Sequence, residues 1–402
     1  MNGRVALACS GIGHVNRGYE ASVTELFNAV SNRIDVQLYR GQGKSPGQTC
    51  LTTIGRHSPL YSIWPLSLIG AYSRYRNENY SFALHLILSL FVRPVDIVFT
   101  PDHCLAVLLK RIHWLLPRRP VIVFSNGAPF ENSFCDSFAV VHQKSYEHYV
   151  RSEGTELHKK SWLIPNGFDA NRLRKPDSFS RDKVLKQLGV DPNVTVVLAL
   201  SAHNNTHKRV DWLLSEFVKL DQKEFALIIA GQPTGEAAEL KRMRDELGCN
   251  ATFVTVAEKA VPELIWASDM MALCSLSEGF PRAVAEAMGG GKHIFVHPHK
   301  NSRWIVGENE FCFVDMEKES ALANALQHAA SNPELLAASA ARNYRRFVNQ
   351  FTWENVAVAY VNMFVELLAV RQQLDRNSRQ LPDHGIREHL RHNSGIQPGR
   401  SD

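Results

Sequence analysis

Short, nearly continuous apolar runs alternate with amphipathic stretches along most of this chain. The first run, Arg4–Ser10, ends in Gly11–Ile12–Gly13–His14. From about Glu20 to Val30 a helical pattern follows, with Val23, Leu26, Phe27 and Val30 on one face. Val36–Tyr39, Val95–Thr100, Val121–Ser125 and Phe138–Val141 read as further strands. Phe82–Val92 is apolar, contains His85, and is too short to span a bilayer, so it reads as a core helix. Strands alternating with helices predict a parallel sheet covered by helices on both faces.

Leu163–Ile164–Pro165–Asn166–Gly167–Phe168–Asp169 breaks the pattern and opens a polar segment to about Arg181. A second series begins at Val194–Ser201, whose continuous apolarity suits a strand buried on both faces. Phe225–Ala230, Ala251–Val256, Met270–Leu276 and His293–His297 continue it, and Ala321–Ala330, Pro333–Asn349 and Val356–Arg371 read as closing helices. The expected fold is α/β, with two tandem Rossmann-like doubly wound domains over 1–165 and 166–352. A helix over 353–371 is expected to return toward the first domain, and the polar stretch 372–402 to be a disordered tail. Ligands of such sheets bind at the carboxyl ends of strands, and two such domains place the natural site in the cleft between them.

With 45% apolar and 21% charged residues over 402 positions, the chain can bury two cores. The five apolar residues Val5–Cys9 suit a buried strand better than a secretory signal, so a cytoplasmic protein is expected. Seven cysteines form no CxxC pair, and Cys9, Cys274 and Cys312 sit in apolar surroundings typical of core thiols in a reducing compartment. The net charge of +5 is uneven: up to Lys160 there are 17 Lys/Arg against 11 Asp/Glu, and afterwards 28 against 29. That imbalance suggests an anionic partner for the N-domain, such as a phosphorylated lipid acceptor or the inner membrane face, or else an ordinary solvated face.

The most informative segment is Ser275–Gly289, where a buried strand ends in a glycine-containing turn and Pro281 suits the first position of a helix. Amides around Gly279, Phe280, Pro281 and Arg282 would then sit at a positive helix end able to hold phosphate oxygens. Glu278 lies on the turn and Glu286 about one and a half turns into the helix. Each carboxylate can accept two hydroxyl hydrogen bonds, as vicinal diols offer, or can simply belong to an acidic surface. A second segment, Leu200–Leu214, follows a buried strand and contains His207–Lys208–Arg209 before the next helix. The N-terminal Gly11 and Gly13 permit a tight turn and close approach of backbone to ligand, without the glycine spacing of the dinucleotide fingerprint.

Together these segments resemble retaining glycosyltransferases of the GT-B fold, family 4. Glu278–Gly279–Phe280–Pro281 and Glu286–Ala287–Met288 resemble the family's EGFG-x4-EAM signature, with Pro281 where glycine is commoner. Gly289–Val296 is similar to its A-x-G-x-P-V segment, with His293 where proline is usual, and Leu163–Asp169 is similar to its I-P-N-G-V-D junction. The resemblance spans residues 4 to about 316. It implies that Glu278 contacts the donor sugar, Glu286 the ribose, and Lys208 the diphosphate. The family's arginine before that lysine is absent, and Asn204 and Asn205 stand there; either Arg209 replaces it or the asparagines act as neutral donors. Gly11, Gly13, His14 and Arg17 would face the cleft. The family's N-domain histidine is replaced by Ser125–Asn126–Gly127, which leaves Asn126, His103 or His14 to take its place.

The activity implied is transfer of a sugar from a UDP- or GDP-sugar to an acceptor hydroxyl in cell-envelope or polysaccharide synthesis. The acceptor would be a glycan, a lipid-linked molecule or a small molecule. No nucleic-acid partner and no essential metal are expected, and His297-x-His299 lacks a third ligand or an HExxH context. A nucleotide-sugar 2-epimerase of the same fold, or a non-catalytic sugar-nucleotide-binding relative, are the alternatives.

Overall fold

A computed structural model describes residues 3–15, 18–43, 45–125, 134–141, 143–152 and 161–380. The first domain runs β1 (Arg4–Cys9), α1 (Gly18–Val30), β2 (Asp35–Arg40), β3 (Gln48–Cys50), α2 (Ala71–Val92), β4 (Ile97–Thr100) and α3 (His103–Arg111). It continues with β5 (Val121–Phe124), β6 (Ser137–Val140), α4 (Gln143–Ser152) and β7 (Ser161–Leu163). After α5 (Ala170–Leu173) and α6 (Arg181–Gln187), the second domain runs β8 (Thr195–Leu200), α7 (Val210–Phe217), β9 (Phe225–Ala230), α8 (Ala237–Leu247) and β10 (Ala251–Val254). Then come α9 (Val261–Ala267), β11 (Met270–Leu273), α10 (Arg282–Gly289), β12 (His293–Val296) and α11 (Lys300–Val306). The closing helices are α12 (Ala321–Ala330), α13 (Pro333–Gln350) and α14 (Trp353–Gln380).

Both sheets are parallel: seven strands in the order β3-β2-β1-β4-β5-β6-β7, and five in the order β10-β9-β8-β11-β12. The period-two alternation of a strand explains how each sheet separates two cores. On β1, Val5, Leu7 and Cys9 pack with Val23, Leu26, Phe27 and Val30 of α1 and with α14. Ala6 and Ala8 face the opposite side, against Phe82 and Leu86 of α2 and Leu105 and Leu109 of α3. On β8, Val196 and Leu198 pack toward α9 and α10, while Val197 and Ala199 pack toward α7 and α12.

The last helix belongs to the first domain's core. Met363 and Phe364 are fully buried, and the Phe99 ring meets those of Tyr360 and Phe364 edge to face. Trp353–Gln372 is long and apolar enough to cross a membrane, yet its apolar face is taken up by this packing. The chain therefore passes between domains twice, and the passages are hydrogen-bonded together. The Phe168 amide donates to the Phe351 carbonyl (2.8 Å), and the Trp353 amide to that of Phe168 (3.1 Å). Gly167 lies flat against the Trp353 indole, where a Cβ would collide with the ring.

Several expectations change. β3 and β7 go unread because they are three-residue edge strands, too short to show an alternation. α14 runs on through Gln380, since the polar Gln and Arg residues after Gln372 are good helix formers; residues 381–402 of the expected tail lie outside the described residues. α2 starts at Ala71 and is only half a core helix. Phe82, Leu86 and Leu90 are buried, whereas Leu84, Leu88 and Phe91 face outward. Phe364→Ala should cost about 3–5 kcal/mol, as expected for emptying a large aromatic site in a well-packed core. A urea midpoint for that variant equal to wild type would show that α14 is not part of the core.

Candidate functional site

In each sheet the strand order reverses beside the first strand, and the reversal opens a crevice at the carboxyl ends. In the second domain this point lies between β8 and β11, which pair through Met270 and Met271. The loop after β8 carries Lys208 and the loop after β11 carries Glu278, so residues distant in sequence meet. Lys208 Nζ lies 2.5 Å from Glu278 Oε1, with the carboxylate side chain 9% exposed. Asn204 shapes the Lys208 loop by accepting hydrogen bonds from the His207 and Lys208 amides (3.3 and 2.8 Å). His207 adds to the cluster, its Nε2 3.1 Å from the Ser277 carbonyl oxygen and 3.8 Å from Glu278. The Glu278 carbonyl accepts from Asn301 of α11 (2.6 Å), and Asn301 Oδ1 accepts from the Lys144 amide of α4 (3.0 Å). One side chain thus ties the Glu278 loop to the first domain.

Helix α10 begins just beyond Glu278. Pro281 occupies its N-cap, one position earlier than expected, and Arg282 is the first helical residue. Glu286 opens from α10 onto a cavity of about 630 Å³ between the domains. Gly13, Glu20, Thr24, Glu25 and Arg40 form the N-domain wall, and Glu258, Arg282 and Glu286 the opposite one. A smaller adjoining cavity of about 390 Å³ is lined by Glu25, Phe168, Arg172, Glu286 and Trp353. Lys208 and Glu278 are not among the residues lining either cavity. Burial raises the Glu286 carboxyl above its ordinary range, against the pull of Arg282 and Arg172; Arg172 Nη2 lies 3.4 Å away. Burial raises Glu25 as well. Carboxylates outnumber guanidinium groups on these walls, so this cavity suits hydroxyl-rich groups better than phosphate.

The other expected residues divide. Arg282 reaches across the cleft: its guanidinium lies 4.7 Å over the Phe168 ring and donates to Ser22 Oγ of α1 at 3.4 Å. Gly13 has φ +90°, and a Cβ there would strike the Gln42 carbonyl, so only glycine fits. Gly11 accepts the His14 and Val15 amides through its carbonyl (2.9 and 3.0 Å). His14 is clamped between Gly41 and Gly55, with a buried Nε2 that has no hydrogen-bond partner among the described residues. His103 opens α3 at the N-domain crevice, its ring edge-on to Phe134 (4.7 Å between centroids) and its pKa lowered by burial. Arg17 and Asn126 lie outside the described residues.

Two of these side chains are engaged by protein groups. The Arg209 guanidinium donates through Nη1 to the Met316 carbonyl (2.6 Å) and covers the Trp212 ring at 4.9 Å. The Phe280 side chain is a packing group between Phe168, Trp304 and Phe351, leaving its backbone as the only part available to a ligand. The Asn205 amide is held by Glu236, while its Oδ1 is buried without a partner among the described residues. His297 and His299 each use a ring nitrogen to accept backbone amides, from Met316 (3.2 Å) and from Asn301 and Ser302 (3.2 and 3.4 Å).

Sequence reasoning missed Arg172, Glu25, Glu258 and Asn301, which read as surface residues until the domains are brought together. It also missed a buried polar cluster at the N-domain crevice. Asp102 Oδ2 accepts the Ser10 amide (2.7 Å), Ser10 Oγ donates to Glu78 (3.2 Å), and Arg56 grips Glu78 through two nitrogens (2.9 and 2.5 Å). Burial pushes the Asp102 carboxyl up to about 6, while Arg56 holds Glu78 below its ordinary value despite burial. No signal in the sequence marks these residues, because they come from α2 and three loops far apart in sequence.

Two facing doubly wound domains, with the second closed by a helix that returns to the first, form the GT-B architecture. Residues 194–332 match the family model described as glycosyl transferases group 1, so the chain carries a domain of that group and is a transferase by it. HepE of Anabaena, solved with UDP, superposes with a TM-score of 0.70 at 17% identity over 90% of this chain and 100% of that one. A sucrose-phosphate synthase from Thermosynechococcus elongatus gives 0.71 at 16% identity over 92% of this chain and 100% of that one. WaaG, a glycosyltransferase involved in lipopolysaccharide biosynthesis, gives 0.59 at 14% identity over 88% and 98%. No curated protein matches the sequence.

The raised Asp102 pKa makes stability fall with pH in a defined window. Between about pH 4 and 6 the folded chain keeps a proton on Asp102 that the unfolded chain releases. The stabilisation present at lower pH is thus lost as pH rises to about 6 and stays constant above it, by up to about 3 kcal/mol. Asp102→Asn should therefore gain thermal stability relative to wild type from pH 4 to pH 6. A difference that stays flat across that window would contradict the assignment.

Proposed function

We propose that this chain transfers a sugar from a nucleoside diphosphate sugar to an acceptor hydroxyl with retention of anomeric configuration. The observation that carries the reading is the Lys208–Glu278 contact at the crevice of the group 1 domain, beside the start of α10. Fold relatives solved with UDP and UDP-glucose support a uridine nucleotide ahead of a guanosine one. The fold resemblance to WaaG, a glycosyltransferase involved in lipopolysaccharide biosynthesis, supports an acceptor in glycan or cell-envelope synthesis.

In this reading the donor diphosphate enters beside the N–H groups of Gly279, Phe280 and Arg282 and draws the Lys208 ammonium from Glu278. Lys208 then neutralises charge building on the leaving group as the bond from the anomeric carbon to the phosphate oxygen breaks. Glu278, released, accepts hydroxyl hydrogen bonds from the donor sugar and fixes its orientation. Glu286, on the cavity wall, accepts the ribose hydroxyls. The acceptor oxygen attacks from the face that the diphosphate leaves, and its proton passes to the departing phosphate oxygen. No carboxylate nucleophile and no metal is required, and positioning by the two domains supplies much of the rate. Their closure, tied through Asn301 and Arg282, keeps water from the sugar.

Lys208→Met and Glu278→Gln should each lower turnover by about 10²–10³, the loss typical of one preorganised contact to developing charge. UDP should raise the thermal midpoint of the wild type by mass action, equivalent to about 2.7 kcal/mol at a hundredfold excess over Kd. Near-wild-type transfer by both variants, or a midpoint raised by GDP and not by UDP, would contradict the reading and its choice of base respectively.

A further inference from the structure

Exposed apolar side chains are concentrated on one side of the first domain. Of the 21 large hydrophobic side chains exposed among the described residues, 14 fall between Ile54 and Leu115. A scatter of single exposed leucines needs no explanation, whereas a contiguous patch does. α2 is the spine of this one. Its inner face packs Phe82, Leu86 and Leu90 into the core, and its outer face repeats the pattern with Tyr80, Leu84, Leu88 and Phe91, each 43–59% exposed. These outward residues follow i, i+4, i+8, i+11 and form one stripe along a helix about 33 Å long. From Phe82 to Val92 the helix is apolar on both faces, and such a stretch is normally covered on both.

The segment before α2 extends the patch and is built to present it. Tyr61 is buried; Asn77 donates to its hydroxyl (3.3 Å), and the Arg74 guanidinium lies 5.0 Å over its ring. Arg74 also donates to the Ile69 and Ser67 carbonyls (2.7 and 3.2 Å), latching the segment to the helix. Ile63, Trp64 and Leu68 are left pointing outward, with Trp64 78% and Leu68 76% exposed. At the other end of α2, Val92 is joined by Trp114 and Leu115, which follow the neighbouring helix α3.

The charge around this surface selects what covers it. Residues 51–119 contain eight Lys/Arg and three Asp/Glu. All three acids are engaged: Glu78 by Arg56, Asp102 by the Ser10 amide, and Asp96 by Arg118 and Arg371. Arg76, Arg93, Arg111 and Arg119 are exposed on and beside the patch. A second copy docking by a two-fold axis would bring this cation-rich surface against the same cation-rich surface. Apolar side chains and tryptophans rimmed by arginines, with no unengaged acid, suit the boundary between acyl chains and anionic head groups.

We propose that the outer face of α2, with the segment 59–69, docks this protein on an anionic lipid surface. The helix lies in the plane of the interface, apolar stripe down, without crossing the bilayer. The docking holds the first domain at the membrane and stands independently of the sugar-transfer reading.

The test is co-sedimentation of the full chain with phosphatidylcholine vesicles, with and without phosphatidylglycerol. Binding to the anionic vesicles is expected, with little to the neutral ones and a decline as salt rises. Arg111→Glu and Arg119→Glu should each weaken it about fivefold or more, in line with the contribution of one basic residue at such a surface. Leu84→Glu/Leu88→Glu should abolish it; because that pair could disturb folding, Trp64→Ser/Leu68→Ser, at two largely exposed positions, should also weaken it while leaving the thermal midpoint unchanged. Absence of binding to anionic vesicles, or equal binding by all these variants, would overturn the proposal. So would a concentration-dependent dimer in light scattering that Trp64→Ser/Leu68→Ser dissolves, which would assign the face to a second copy.

Discussion

The site depends on one contact, the charged hydrogen bond between Lys208 and Glu278. It exists because β8 and β11 are neighbours where the second sheet reverses its strand order. The loops leaving those strands have to pass each other, so a cation on one and a carboxylate on the other are brought together by topology. Without a ligand, each charge satisfies the other in a half-buried position where an isolated charge would be costly. A diphosphate offers the lysine a stronger partner and at the same moment frees the carboxylate for hydroxyl groups. The same pair can therefore hold the empty site together and receive the donor.

The second constraint is that the domains are joined by specific polar contacts near this pair as well as by the chain. Asn301 spans from the Glu278 carbonyl to the Lys144 amide, and Lys300 pairs with Glu147 on α4. Arg282 reaches Ser22 across the cleft, and Trp353 Nε1 donates to Glu25 (3.3 Å) at the back of the cavity. These are polar, exchangeable contacts. The firmer attachment is α14, whose aromatic residues are part of the first domain's core. The Phe168–Phe351 crossing joins the second domain to this docked helix.

Much of this was legible in the sequence wherever one element carries its own signal. The apolar runs at Val5–Cys9 and Val194–Ser201 gave away buried parallel strands, and the Ser275–Gly289 segment marked the turn into α10. What was hidden depends on the approach of elements distant in sequence. Arg172 and Asn301 look like ordinary surface residues until the domains face each other, and nothing near Arg209 in sequence announces its contact with the Met316 carbonyl. The Asp102–Ser10–Glu78–Arg56 cluster draws on α2 and three separate loops, and no local pattern encodes it. α2 misleads for the opposite reason: apolar residues on both faces imitate a core helix, although only one face meets the core.

The most direct measurement is a crystal structure of the protein soaked with UDP. The account predicts a phosphate oxygen within hydrogen-bonding distance of Lys208 Nζ, about 3 Å, with the lysine drawn away from Glu278 and the ribose against Glu286. A diphosphate seated elsewhere, with the Lys208–Glu278 contact unchanged, would contradict it.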